Sequence, residues 1–232
     1  MKKVGIVIFV VAIAMGVVAG NFFSFGRLPG KIFNFSFGRG VRGSGVLMTE
    51  KRDLSGFKGV DVGGIFQVEV AVQKEFAVEV SGDDNIVPMV KTYVSDGVLK
   101  IESEGHFSNS NPIKVRISAP DIESIEASGA SRVAVTNIKN SSLDVNTSGA
   151  SRVSVAGETA NLRVDVSGAS GVDAEALRAE NADVDASGAS SVSIFALNHI
   201  TADASGASKI FYSGTATSVE KKTSGASRIA QK

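Results

Sequence analysis

The 232-residue chain has no cysteine and no tryptophan, only two histidines (His106 and His199) and only four prolines. Without cysteine there is no disulfide, no thiolate nucleophile and no thiolate metal site, so the redox compartment cannot be read from thiols. Two histidines far apart in sequence leave little for metal ligation or proton shuttling, and neither has an acidic partner at a suggestive spacing. Both read as ordinary surface residues. Acids are missing from the first 49 residues, which carry six bases (Lys2, Lys3, Arg27, Lys31, Arg39 and Arg42). The remainder therefore has 18 bases against 24 acids, a net charge of −6. A mildly acidic body excludes nucleic acid as a natural partner, because binding a polyphosphate depends on clustered Lys and Arg that release counterions.

What is present at the N-terminus is a basic start, Met1-Lys2-Lys3, followed by an uncharged run from Val4 to Ala19. This is the pattern of an export signal. Val17 and Ala19 are small residues placed for cleavage before Gly20, while Gly20 to Phe25 lengthens the run toward the roughly 20 apolar residues that a membrane anchor needs. Residues 1–19 are thus a signal peptide or a retained anchor. The next segment, 20–45, repeats Phe-Ser-Phe-Gly-Arg at Phe23 and Phe35 and holds six phenylalanines between Phe22 and Phe37. Such a segment is either a linker or a stretch that lies on an anionic membrane surface, rings at the interface and bases among headgroups.

From about residue 46 to 120 apolar and polar residues alternate, as in Phe66-Gln67-Val68-Glu69-Val70 and Phe76-Ala77-Val78-Glu79-Val80. Alternation predicts half-buried strands, with turns at Gly63-Gly64, Ser81 to Asp84 and Ser95-Asp96-Gly97. Only Asn85 to Tyr93 has a helical possibility, and Pro88 keeps it short.

The deciding feature is the word Ser-Gly-Ala-Ser, which starts at Ser128, Ser148, Ser167, Ser187, Ser205 and Ser224, at spacings of 20, 19, 20, 18 and 19. So regular a period is the mark of a solenoid. Each word is flanked by alternating strands, such as Leu162-Arg163-Val164-Asp165-Val166 before it and Val172-Asp173-Ala174 after it. Flexible linkers lack that flanking pattern, and the density of Gly and β-branched residues disfavours helix. The expected fold is all-β: a single-stranded parallel β-helix over residues 121–232, with coils of 18–20 residues, capped by the β region at 46–120. Gly129, Gly149, Gly168, Gly188, Gly206 and Gly225 are the expected corners, because glycine accepts backbone angles denied to other residues. The alanine of each word is expected to fill the corner and the serines to bond along the stack or to the backbone. At the far end Lys221 falls where Val145, Val164 and Val184 point inward, which blunts an otherwise open edge.

Gly43-Ser44-Gly45, Leu54 to Val60, Val62 to Val68, Gly97 to Ile101 and the repeated Ser-Gly-Ala-Ser together resemble the bacterial family called putative auto-transporter adhesin, head GIN domain, over about Gly43 to Lys232. The resemblance implies a right-handed β-helix on an exported protein. It supplies no catalytic residues.

Two outer columns follow from the coil period. Asn146, Asp165, Asp185, Asp203 and Lys222 stand two residues before successive words, so three carboxylates repeat at about 5 Å, where a divalent cation, Arg163 or solvent would relieve their repulsion. Arg132, Arg152, Lys209 and Arg228 follow the words and form a basic column open to anionic glycans or to solvent. No metal site, cofactor or catalytic residue is assigned. Coils of constant length leave no insertion from which to build a catalytic cleft, so the chain reads as a non-enzymatic envelope protein that is periplasmic, on the outer surface or anchored in a membrane, with an envelope glycan or protein as its partner. An end-to-end scaffold is the second reading, and a polysaccharide-active enzyme a distant third.

Overall fold

The computed structural model describes residues 40–232. The signal or anchor segment and most of the Phe-rich segment lie outside the described residues. The strands in chain order are β1 (Val41–Arg42), β2 (Leu47–Arg52), β3 (Gly59–Gly64), β4 (Gln67–Val72), β5 (Ala77–Asp83), β6 (Val90–Ser95), β7 (Val98–Ser103), β8 (Phe107–Ser108) and β9 (Lys114–Ala119). They continue as β10 (Ser124–Gly129), β11 (Arg132–Thr147), β12 (Arg152–Val166), β13 (Gly171–Ala186), β14 (Ser191–Ala204), β15 (Lys209–Gly214), β16 (Ser218–Thr223) and β17 (Arg228–Gln231). Among the described residues the only helical element is the 3-10 turn Val87–Met89, which Pro88 opens.

The solenoid expected from the repeat is present. Successive coils from β10 onward pair in parallel, and in the strand segments that flank each corner equivalent residues stand directly over one another. One inward column runs Leu99, Val60, Ile125, Val145, Val164, Val184, Ala202 and Lys221. A second runs Val115, Val68, Val133, Val153, Val172, Val192, Ile210 and Ile229. The valines, isoleucines and leucines of these columns up to Ile210 are all but inaccessible to solvent, and burying such a side chain stabilises by about 1.5–3 kcal/mol. β11, β12 and β13 bend within their length, where the register shifts between coils, so that each coil has three ladder segments.

The corner word has a more specific geometry than its composition suggests. All six glycines have φ between +71° and +78°, and each alanine amide beyond them donates to the glycine carbonyl one coil below, as Ala169 N does to Gly149 O at 2.8 Å. The alanine side chains sit at the corner pointing outward and are exposed, and the residue turned into the bore is the second serine of each word. Ser131 and Ser208 use their hydroxyls on the carbonyls of Gly64 and Ala186. A corner bent around a left-handed glycine directs the next side chain to solvent and the one after it inward, which is why the small polar residue, not the alanine, meets the dry interior.

Parallel stacking does not begin at residue 121. β3 and β4 lie in register with β10 and β11, and β7 and β9 lie in register with β3 and β4 on the other side. Stacking order therefore departs from chain order: the 98–119 coil is outside the 59–72 coil. Register requires only inward alternation and matched length, and Val60, Val62, Val68 and Val70 supply both without a Ser-Gly-Ala-Ser word. What closes this end is a set of antiparallel strands, β6 on β7, β5 on β9 and β2 on β5. Asp83 at the end of β5 is fully buried; its carboxylate accepts from Ser110 N at 2.7 Å and Asn111 Nδ2 at 2.6 Å. The neighbouring Asp84 and Asn85 hold Ser44 through its hydroxyl and its amide, which fastens the Gly43–Gly45 segment to the body.

Candidate binding surfaces

The acidic column lies on the outer face of the strand that precedes each corner. Asn146, Asp165, Asp185 and Asp203 are consecutive rungs of one ladder. It ends at Lys222 on one side, as the period indicates, and on the other it extends further than the sequence reading placed it, through Glu126 and Asp61 to Lys100. Lys100 Nζ pairs with Asp61 Oδ2 at 2.8 Å, so a lysine closes the row at both ends. Partial burial, and then the charges of Asp183, Asp165 and Asp203, raise the Asp185 carboxyl above its ordinary range, with Arg163 acting against them. Among the described residues no group of three or more acidic or histidine side chains converges as a metal cradle. The column is therefore a row of spaced charges.

The basic column lies on the adjoining face. Arg132, Arg152, Lys209 and Arg228 do share one column, but Gly171 and Ser191 occupy the two rungs between Arg152 and Lys209. The four bases are thus two pairs. Arg132 and Arg152 flank a shallow groove of about 700 Å³ whose floor is formed by the outward residues Ala134, Ser154, Gly171, Ser191 and Ser193. In the column two residues further along, Glu69 on β4 and Asp173 on β13 stand on either side of Ala134 and Ser154 and line the opposite side. The sequence reading missed this groove because it is defined by what is small: four successive coils place Ala, Ser or Gly where others carry long side chains. The signal lay in the outward positions after each corner, which read Arg-x-Ala, Arg-x-Ser, Gly-x-Asp and Ser-x-Ser. Beyond it the floor ends at Phe211, whose ring carries the Lys232 ammonium at 5.6 Å from its centroid.

The two histidines fall where expected. His106 is exposed, and His199 is half-buried with its Nε2 3.1 Å from Thr201 Oγ1.

Residues 56–216 match the family described as "Putative auto-transporter adhesin, head GIN domain". The chain belongs to this family. No curated protein matches it. Among solved structures it is similar to a putative adhesin from Bacteroides fragilis, with 20% identity, a TM-score of 0.70, and coverage of 83% of this chain and 100% of the other. It is also similar to a putative lipid binding protein from Parabacteroides distasonis, with 18% identity, a TM-score of 0.55, and coverage of 84% and 100%. A third, a putative adhesin from Parabacteroides merdae, has 17% identity, a TM-score of 0.52, and coverage of 84% and 99%. At such identities the likeness is one of fold.

Proposed function

We propose that the chain is a non-enzymatic, exported cell-envelope module that binds an envelope partner through the outer face of its rigid solenoid. The observation that carries this reading is the groove bordered by Arg132 and Arg152, which is open, shallow and crossed by five coils with no inserted loop over it. Catalytic sites are enclosed enough to exclude water and gather perturbed groups, whereas this groove is open to solvent along its length and built on a rigid sheet, so it is preformed as a recognition site usually is. The adhesin description of the family and of two of the similar structures supports the same reading. Location in the periplasm, on the outer surface or at a membrane through residues 1–19 follows from the N-terminal sequence and the family description. An end-to-end scaffold is less well supported, because the two ends of the stack differ and antiparallel strands cover one of them. Incubating the purified full chain with isolated envelopes tests the proposal. Saturable retention with no turnover of envelope polysaccharide is expected, and absence of retention, or release of soluble sugar fragments, overturns it.

A further inference from the structure

Arg132 and Arg152 are adjacent rungs of a parallel ladder, so their Cα atoms are about 4.8 Å apart. Among the described residues neither guanidinium has a carboxylate within 4 Å, although other surface bases, such as Lys51, Lys58, Lys91, Lys100 and Arg116, are paired. Two unpaired like charges held side by side on a rigid sheet repel, and an anion bridging them relieves that repulsion. Guanidinium suits a planar carboxylate, because its N–H fork can donate two parallel bonds to it.

The groove beside the pair has a direction. Its floor crosses β4, β11, β12, β13 and β14 along the stacking axis, so an occupant must be linear and thin. Its opposite side carries Glu69 and Asp173, and Asp173 makes no ion pair among the described residues. A polyphosphate meets these carboxylates with charge alone and has no hydroxyl to donate to them. A carbohydrate would meet them as acceptors for its hydroxyls, while Ser154 and Ser191 offer further hydroxyls on the floor and Lys232 donates to Ser193 at its end. One edge that wants a carboxylate and another that wants hydroxyl donors, with small residues between, fit a single ligand class. Resting on the binding role proposed above, we infer that this groove is a site for a linear acidic glycan, lying along the solenoid with a uronate carboxylate on Arg132 and Arg152.

Isothermal titration of the full chain in detergent with oligogalacturonate tests the assignment, with neutral dextran oligomers and phosphatidylglycerol vesicles as the other probes. Oligogalacturonate is expected to bind. The Arg132→Gln/Arg152→Gln double variant should bind about tenfold or more weakly, as loss of charge-assisted hydrogen bonds requires, with an unchanged melting temperature. The Lys209→Gln/Arg228→Gln variant, altered outside the groove, should bind as the parent does. No heat with oligogalacturonate, equal binding of dextran, stronger binding of the vesicles, or equal loss in the two variants would each overturn the inference. Retention on envelopes that survives Arg132→Gln/Arg152→Gln would sink this site while leaving the general binding role standing.

Discussion

The amide of Ala169 donates to the carbonyl of Gly149 one coil below at 2.8 Å, and Gly168 beside it is held at φ +73°. A side chain on Gly168 would put its Cβ 2.7 Å from that same carbonyl oxygen, so the corner cannot admit one without opening the ladder. Left-handed backbone alone costs a non-glycine residue about 1–2 kcal/mol, and the clash adds to it. Gly168→Ala should therefore lower stability by about 2 kcal/mol or more in urea titration. Gly171→Ala is the control: its Cβ would meet nothing nearer than 3.5 Å and its backbone is not left-handed, so a change within about 0.5 kcal/mol is expected.

Asp83 makes the antiparallel end acid-sensitive. Burial by itself would raise its carboxyl, but donation from Asn111, Ser110 and the Gly45 amide outweighs burial and holds it below the ordinary range. A carboxyl depressed on folding adds stability that is in place above its unfolded value of about 3.9, and that stability disappears as pH falls through the lower folded value. Thermal melts of Asp83→Asn should show a loss at pH 7 that narrows steadily below about pH 4. A deficit of constant size from pH 7 to pH 2 would mean that the charge is not what holds the segment 43–45.

The repeat made the coils and corners legible because the same word recurs at nearly constant spacing, and parallel register then follows from alternation. The coils built from 59–72 and 98–119 were not legible as coils. Their corners are Gly64-Ile65-Phe66 and the loop containing β8, which carry no shared word, and alternation alone does not distinguish a hairpin from a stacked coil. Their reversed order along the stack is a matter of which distant strand edges pair, and adjacent residues do not record that. At the corners, composition identified the glycines but did not show which of the two small residues after them faces the bore, since that is set by the φ of the glycine before them. The Asp and Arg columns could be read from the period; the groove could not, because it consists of positions where side chains are short.

The acidic ladder costs stability at neutral pH. A folded value above the unfolded one means that Asp185 binds its proton more tightly in the native state, so stability falls as pH rises from about 3.9 through the raised value. Asp185→Asn should be stabilising at pH 7 by about 0.5 kcal/mol, the scale of one like-charged cross-strand neighbour, and the gain should fade in high salt and below pH 4. Urea titrations at low and high ionic strength check this. A destabilised Asp185→Asn would mean that the carboxylate has a structural partner that its neighbours' charges conceal.

Lys221 stands over Ala202 at the far end of the inward column, and its ammonium lies 2.5 Å from the Tyr212 hydroxyl and 4.5 Å from the centre of that ring. In the coils before it the same position holds Val145, Val164 and Val184. An aliphatic residue there would leave β16 as an unpaired parallel strand backed by a continuous apolar column, the arrangement that recruits another strand. The lysine folds across the bore, places a charge in the path of any added coil and still covers Tyr212. Lys221→Val should therefore keep the melting temperature of the parent while particle mass by light scattering rises with concentration, whereas the parent stays constant. If both hold the same mass at every concentration, then Lys222 and Glu220 alone suffice to keep this edge unpaired.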